Sequence, residues 1–188
     1  TNTKSGDYSN LMTVPRPSHS DYPAFVKYNG FNDIRGGGHF SGRLTAPIVF
    51  AGAVAKQILA QKGITVGAHI KQIGSVCDTA VDYNDISVDM LNKLSSMTFS
   101  VFDESVEEKM RAEVEKARLN LDSVGGVVEC FAVGLPVGVG GNIFDTVESK
   151  LASILFGIPA VKGVQFGLGF DFADKNASKV NDEYEIKD

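Results

Sequence analysis

Seventeen consecutive residues, Leu44 to Ala60, put apolar side chains on almost every face of the helix they would form, with Ile48, Val49, Phe50, Val54, Ile58 and Leu59 among them. A helix that is apolar all round must bury most of its surface. Any fold for this chain therefore needs material packed on several sides of that segment. Gly63 ends the pattern, and Ile64, Val66, Ala68 and Ile70 then alternate with Thr65, Gly67, His69 and Lys71, which predicts a half-buried strand. His69 falls on the polar side of the alternation and is expected in solvent.

Further along, a short helix is predicted over Val88 to Leu94 and a short strand over Met97 to Phe102. Ser105 and Glu108 have the spacing of a capping box, opening an amphipathic helix with Val106, Met110, Val114, Ala117 and Leu121 as its buried stripe. A strand follows over Gly125 to Val133. Next comes a helix over Asn142 to Phe156 with Phe144, Val147, Leu151, Ile154 and Leu155 inward, then a glycine-punctuated strand over Ala160 to Phe172. The glycines of Gly138-Val139-Gly140-Gly141 suggest a dinucleotide fingerprint, but its third glycine would fall on Ile143, so a tight turn fits better. Such glycine-rich strands do not suit a parallel sheet buried on both faces. The expected class is α+β, a buried helical layer packed against an antiparallel sheet. Residues 1–188 would form one domain, with 1–46 a loop-rich active-site segment and 44–188 the helix and strand core.

Charge is unevenly distributed. The net charge is −5, yet residues 1–50 carry Lys4, Arg16, Lys27, Arg35 and Arg43 against Asp7, Asp21 and Asp33. No basic stripe accompanies this, so no nucleic-acid partner is expected. The longest charge-free stretch, Cys130 to Phe144, has 15 residues and is broken by Gly and Pro, which argues against a membrane span. Cys77 and Cys130 stand 53 positions apart without a CxxC pattern or a His/Cys cluster. They are expected as buried reduced thiols, with no disulfide framework and no metal site. No basic-then-apolar segment follows Thr1, so a cytoplasmic location is the simplest expectation. A first residue other than Met and the polar run Asn181 to Asp188 suggest a chain cut at both ends.

The opening segment concentrates His19, His39, four of the six prolines and the run Gly36-Gly37-Gly38. It is expected as loop rather than helix or strand, and loops carry sites. Its arginines are planar forks suited to carboxylate or phosphate, and a histidine can move a proton near neutral pH. Glycines there would admit a ligand close to the backbone, and the segment ends where the apolar helix begins, a place that favours an anion. These features point to a site for a small anion with a proton-transferring histidine. The alternative is a structured loop whose arginines pair locally.

The same residues resemble the chorismate synthases. The resemblance rests on Arg16-Pro17-Ser18-His19-x-Asp21, Lys27-Tyr28, Asp33-x-Arg35-Gly36-Gly37-Gly38 and Ser41-x-Arg43-x-Thr45-Ala46. Ala53 to Lys56, Ala160 to Val164 and Gly167-x-Gly169-Phe170 support it in order, so it runs from about Asp7 to about Glu183. It implies a lyase that removes phosphate from 5-enolpyruvylshikimate 3-phosphate by anti 1,4-elimination, giving chorismate and requiring reduced FMN. By the resemblance, His19 supplies a proton to the reduced flavin, Arg16 and Arg43 contact the anionic substrate, and the backbone of Phe40, Ser41 and Gly42 lies on the flavin. Many members have Ser and Ala where Phe40 and Gly42 stand, which leaves only backbone contacts secure there. The family chain is about twice as long and tetrameric, and motifs of its two ends do not occur here, so a fragment holding part of a site is expected. A non-catalytic oligomerising core with a residual anion site is the alternative.

Overall fold

The computed structural model describes residues 4–184 and 186, and parts of both termini, including Thr1 and the end of the polar run after Asn181, lie outside them. The chain divides into two compact units, residues 49–139 and residues 1–48 with 140–188.

The first of these is built on a three-stranded antiparallel sheet in the order β2-β1-β3, with β1 at Thr65–Ile73, β2 at Val76–Cys77 and β3 at Gly126–Val133. β1 and β3 pair with Gly67 opposite Phe131 and His69 opposite Glu129, and the register shifts between Ile70 and Gln72. Two helices, α3 at Val88–Ser96 and α4 at Glu107–Leu119, lie against β1. (The preceding helices are α1, Asp21–Lys27, and α2, Thr45–Ala60.) The fold is α+β, as the pattern implied, and the layer over the sheet is α3 with α4.

Gly67 explains how close α3 comes. A Cβ there would stand 2.9 Å from the Leu91 side chain, so only glycine lets Leu91 and Leu94 press onto the sheet. Both leucines are buried, together with Ile64, Val101 and Met110. Ser87 caps α3 by accepting from the Met90 N–H. Before α4 the capping box does not form. Asp103 instead accepts from the Ser105 N–H at the short 3-10 turn preceding the helix. Met110 anchors the expected stripe, whereas Val114 and Leu121 are exposed.

The covered face of the sheet is the polar one, the reverse of the expectation. His69 is not in solvent; it is 1% exposed. Its Nδ1 lies 2.8 Å from Asp78 and its Nε2 3.0 Å from Glu129, with the Phe102 and Phe131 ring centroids 4.6 and 5.9 Å away. Asp78 also accepts from the N–H groups of Thr79, Phe102 and Asp103. Glu129 also accepts from Lys71 and Tyr83. Those contacts account for the missing strand at Met97 to Phe102: the Phe102 amide serves a carboxylate rather than a ladder, and the segment gives β1 one bond, Ile70 N–H to the Ser100 carbonyl at 2.8 Å.

Apolar Val66, Ala68 and Ile70 point to the other face beside Val128, Cys130 and Ala132, where Val128 is 66% exposed. Cys77 and Cys130 are both free, and both are exposed rather than buried because that face and the strand edge are uncovered.

α2 carries a larger correction. The helix forms as predicted, but none of its residues is buried. With the turn before it, Gly42–Ala60 makes a 19-residue run of hydropathy 1.2, long and apolar enough by length and composition to cross a bilayer. Counting charge-free stretches overlooked it, because Arg43 and Lys56 interrupt the run without making it polar overall.

In the other unit, α5 spans only Val147–Leu155 behind the cap of Thr146, and Phe144, Leu151 and Ile154 are exposed rather than inward. Residues 160–172 form no strand. Gly167 and Gly169 have positive φ, and a 3-10 helix occupies Gly169–Asp174. The opening segment is more regular than loop, with 3-10 helices at Ser5–Met12 and Gly42–Leu44 besides α1, and turns over Arg35–Phe40 broken by its three glycines.

The His69 cluster makes a stability prediction. Burial works against ionised Asp78, but the amides of Phe102 and Asp103 and the His69 ring outweigh it and hold the carboxyl below its usual range. Burial likewise opposes ionised Glu129, and His69, Lys71 and Tyr83 outweigh it. Carboxyls depressed in the folded state contribute stability that is present above their ordinary pKa of about 4 and lost as pH falls below it. Urea unfolding should show stability flat near neutral pH and falling in acid. His69→Ala should cost about 3–5 kcal/mol at pH 7 by leaving buried charge unpaired. A variant as stable as the parent would show that the cluster holds nothing.

Candidate active site

The residues singled out in the sequence lie in one unit, on the turns between Arg16 and Leu44. Pro15 and Pro17 keep the chain out of helix until Ser20, and α1 starts at Asp21. The bend returns the Asp21 carboxylate to the residues just before it. It accepts from the Arg16 backbone N–H at 3.0 Å, from Arg16 Nε at 2.8 Å and from Arg16 Nη2 at 2.9 Å. His19 Nδ1 lies 2.7 Å from Oδ1 of Asp21, the oxygen that accepts from Arg16 Nη2. The Arg16 hydrogen bonds, aided by the charges of His19 and Arg16, hold the Asp21 carboxyl well below the usual carboxylate range, against its partial desolvation.

The glycine run brings His19 and Arg43 to adjacent positions. Gly36, Gly37 and Gly38 have φ of 64°, 86° and 52°, a left-handed run that side chains resist. A Cβ on Gly37 would stand 3.3 Å from Cε1 and Nε2 of His19, and one on Gly36 would stand 2.8 Å from Nη1 of Arg43. Arg43 Nη1 donates to the Gly36 carbonyl at 3.1 Å. The run is therefore a seat for the two side chains as much as an opening for a ligand. Arg35 turns away from it to Asp33, whose carboxyl it holds at about 2 through a paired hydrogen bond.

Ser41 sits beside Gly37 and caps the turn at Gly42–Leu44 by accepting from the Arg43 N–H. The position of a Gly42 side chain has no heavy atom within 4 Å. Phe40 is 38% exposed, with its ring centroid 6.4 Å from that of Tyr28. His19, Arg43 and Ser41 thus stand at Gly36 and Gly37, with Arg16 against the His19 ring, while Phe40 and Gly42 form an open rim. The sequence reading gave Asp21 no role of its own, although its place two residues after His19 could have signalled one. Tyr8 was also missed; its hydroxyl lies 4.0 Å from the Gly36 side-chain position.

The sequence pattern of the chorismate synthases matches residues 1–188. The chain belongs to the chorismate synthase family. It is 51% identical over 181 residues to the chorismate synthase of Pyrococcus abyssi, an alignment covering 96% of this chain and 49% of that one. It is 42% identical over 186 residues to that of Dehalococcoides mccartyi, covering 99% and 50%. A solved structure described as chorismate synthase superimposes with a TM-score of 0.73 at 28% identity, covering 86% of this chain and 51% of that one. The chain thus spans about half the length of the chorismate synthases it matches.

The contact between His19 and Gly37 is open to test. Gly37→Ala would place a side chain at φ 86° and against the His19 ring, and residues held in such conformations cost about 1–3 kcal/mol. A thermal melt should show that loss, and His19 ring resonances should shift. A neutral substitution with unchanged resonances would remove Gly37 from the site.

Proposed function

We propose that this chain supplies one half of a chorismate synthase active site, which releases phosphate from 5-enolpyruvylshikimate 3-phosphate by anti 1,4-elimination to give chorismate. The gathering of His19 and Arg43 on one glycine run, with Arg16 against the His19 ring, carries this reading. Breaking the allylic C–O bond puts negative charge on the departing phosphate, and fixed guanidinium groups stabilise it. Arg43 is the freer of the two, exposed and held by a single backbone carbonyl. Arg16 has Nε and Nη2 committed to Asp21 and keeps Nη1 for an anion.

Reduced FMN fits the rim as far as this chain builds it: Gly42 is exposed, with open space where its side chain would stand, and half-buried Ser41 precedes it. When bound, the flavin supplies an electron-rich ring that lends density to the allylic system and takes it back. His19 would hold or deliver the proton that sets the state of that ring. Phe40, Ser41 and Gly42 would line one side, and residues 44–188 would support the active-site segment of residues 1–46. The uncovered α2 supports a larger assembly around this half, with the family's homotetramer the form proposed. A soluble cytoplasmic setting, with neither membrane nor nucleic acid as partner, follows from that role.

A full-length chorismate synthase carrying this segment should release phosphate under anaerobic conditions only with dithionite-reduced FMN, and equal rates without flavin would overturn the reading. His19→Ala in that protein should lower turnover about 10²-fold to 10⁴-fold with little change in melting temperature. The 188-residue chain alone should melt cooperatively by circular dichroism yet show no saturable FMN binding and no chorismate production.

A further inference from the structure

We propose that Tyr8 is a further anion-binding residue of this site, its phenol O–H donating to an anionic oxygen of the ligand that Arg43 holds beside Gly36. The inference deepens the function proposed above and rests on that reading for the ligand, but not for the placement of the phenol.

Tyr8 lies on the 3-10 helix at Ser5–Met12, which packs on the turns over Arg35–Phe40. Such a helix has three residues per turn, so positions three apart share a face. Tyr8 and Leu11 have that spacing, and both are half-buried, whereas Gly6, Asp7, Ser9, Asn10 and Met12 are exposed. The helix thus turns this pair inward, and of the two only the tyrosine brings a polar tip. That tip reaches the site, with the hydroxyl 4.0 Å from the place that a Gly36 side chain would fill.

Arg43 Nη1 is 2.8 Å from the same place. Phenol and guanidinium therefore border one small space, which exists because residue 36 carries no side chain. Arg16 is near as well: its pKa is raised chiefly by the hydrogen bond to Asp21, and Tyr8 adds a smaller electrostatic push in the same direction. Among the described residues the Tyr8 hydroxyl makes no hydrogen bond, unlike that of Tyr83, which donates to Glu129. Its donor is left for a ligand. Anionic oxygens have several lone pairs, of which a guanidinium fork answers only some. A phenol adds a directed donor without a further charge, and a few such placed groups orient a ligand in its pocket.

Tyr8→Phe keeps the ring and removes only the O–H. In a full-length chorismate synthase carrying this segment it should raise KM for 5-enolpyruvylshikimate 3-phosphate about 10-fold to 100-fold, the effect of losing a hydrogen bond to a charged group, with kcat changed by no more than about threefold. The melting temperature should not move. An unaltered KM, which a ring that merely packs predicts, overturns the proposal, as does a fall in kcat alone. Should Tyr8→Phe fail to fold, 3-fluorotyrosine at position 8 of the same enzyme places one fluorine resonance beside the hydroxyl. Inorganic phosphate and chorismate, which carries carboxylates but no phosphate, are titrated separately. A saturable shift with phosphate assigns the phosphoryl group and one with chorismate a carboxylate, and either supports the proposal; no shift with both overturns it. A phosphate shift in an enzyme without lyase activity would strike the proposed function and still leave Tyr8 at an anion.

Discussion

Everything in the sheet unit is arranged around one charged contact, the His69 ring between Asp78 and Glu129. With both carboxylates ionised, each can only accept, and the ring is held between them by its two nitrogens. Two carboxylates are expensive to remove from water. Here the remaining acceptor capacity is met: three backbone amides complete Asp78, while Lys71 and Tyr83 complete Glu129. The contact pins β1 to β3 at one register and ties the chain around Phe102 to the loop after β2. A slip of one residue would turn His69 to the opposite face and leave both carboxylates unanswered.

Much of the architecture was legible because periodicity is local. β1, β3, α3, α4 and the α2 helix follow from alternation, helical spacing and Gly stops in the sequence. Which face each element buries was not. In β1 the apolar residues Val66, Ala68 and Ile70 form the bare side and His69 the covered one, since hydrophobic pattern states what wants burial but not what is present to provide it. The same holds for α2, whose sequence demands cover that the described residues do not supply, in a chain about half as long as its relatives. Residues 160–172 contain strand-like apolar runs, but without a partner strand and with left-handed glycines they stay irregular.

The candidate site was more legible than the core around it. Arginine, histidine and glycine in the opening segment carry their chemistry in their types, and the fold brings His19 and Arg43 to one glycine run with Arg16 against the His19 ring. What the residue types could not supply was the division of labour. Arg16 spends most of its fork on Asp21, so two arginines that look equivalent as text differ in how much of each is left for an anion. Conformation made that distinction through a bend only five residues long.

Sequence distance separates the two charged clusters in the order in which they can form. Arg16 meets Asp21 across five residues, whereas His69 meets Glu129 across 60. Closing the longer loop costs more chain entropy and orders more backbone before the contact can form. The ion pair at the site can thus assemble while the sheet is still open, and it can persist when the sheet transiently parts. Amide exchange would sort them accordingly: protons along β1 and β3 exchange only through a cooperative opening, while those around Arg16 and Asp21 follow a local, faster one. A chain built this way carries a preformed scrap of its chemistry through much of its folding.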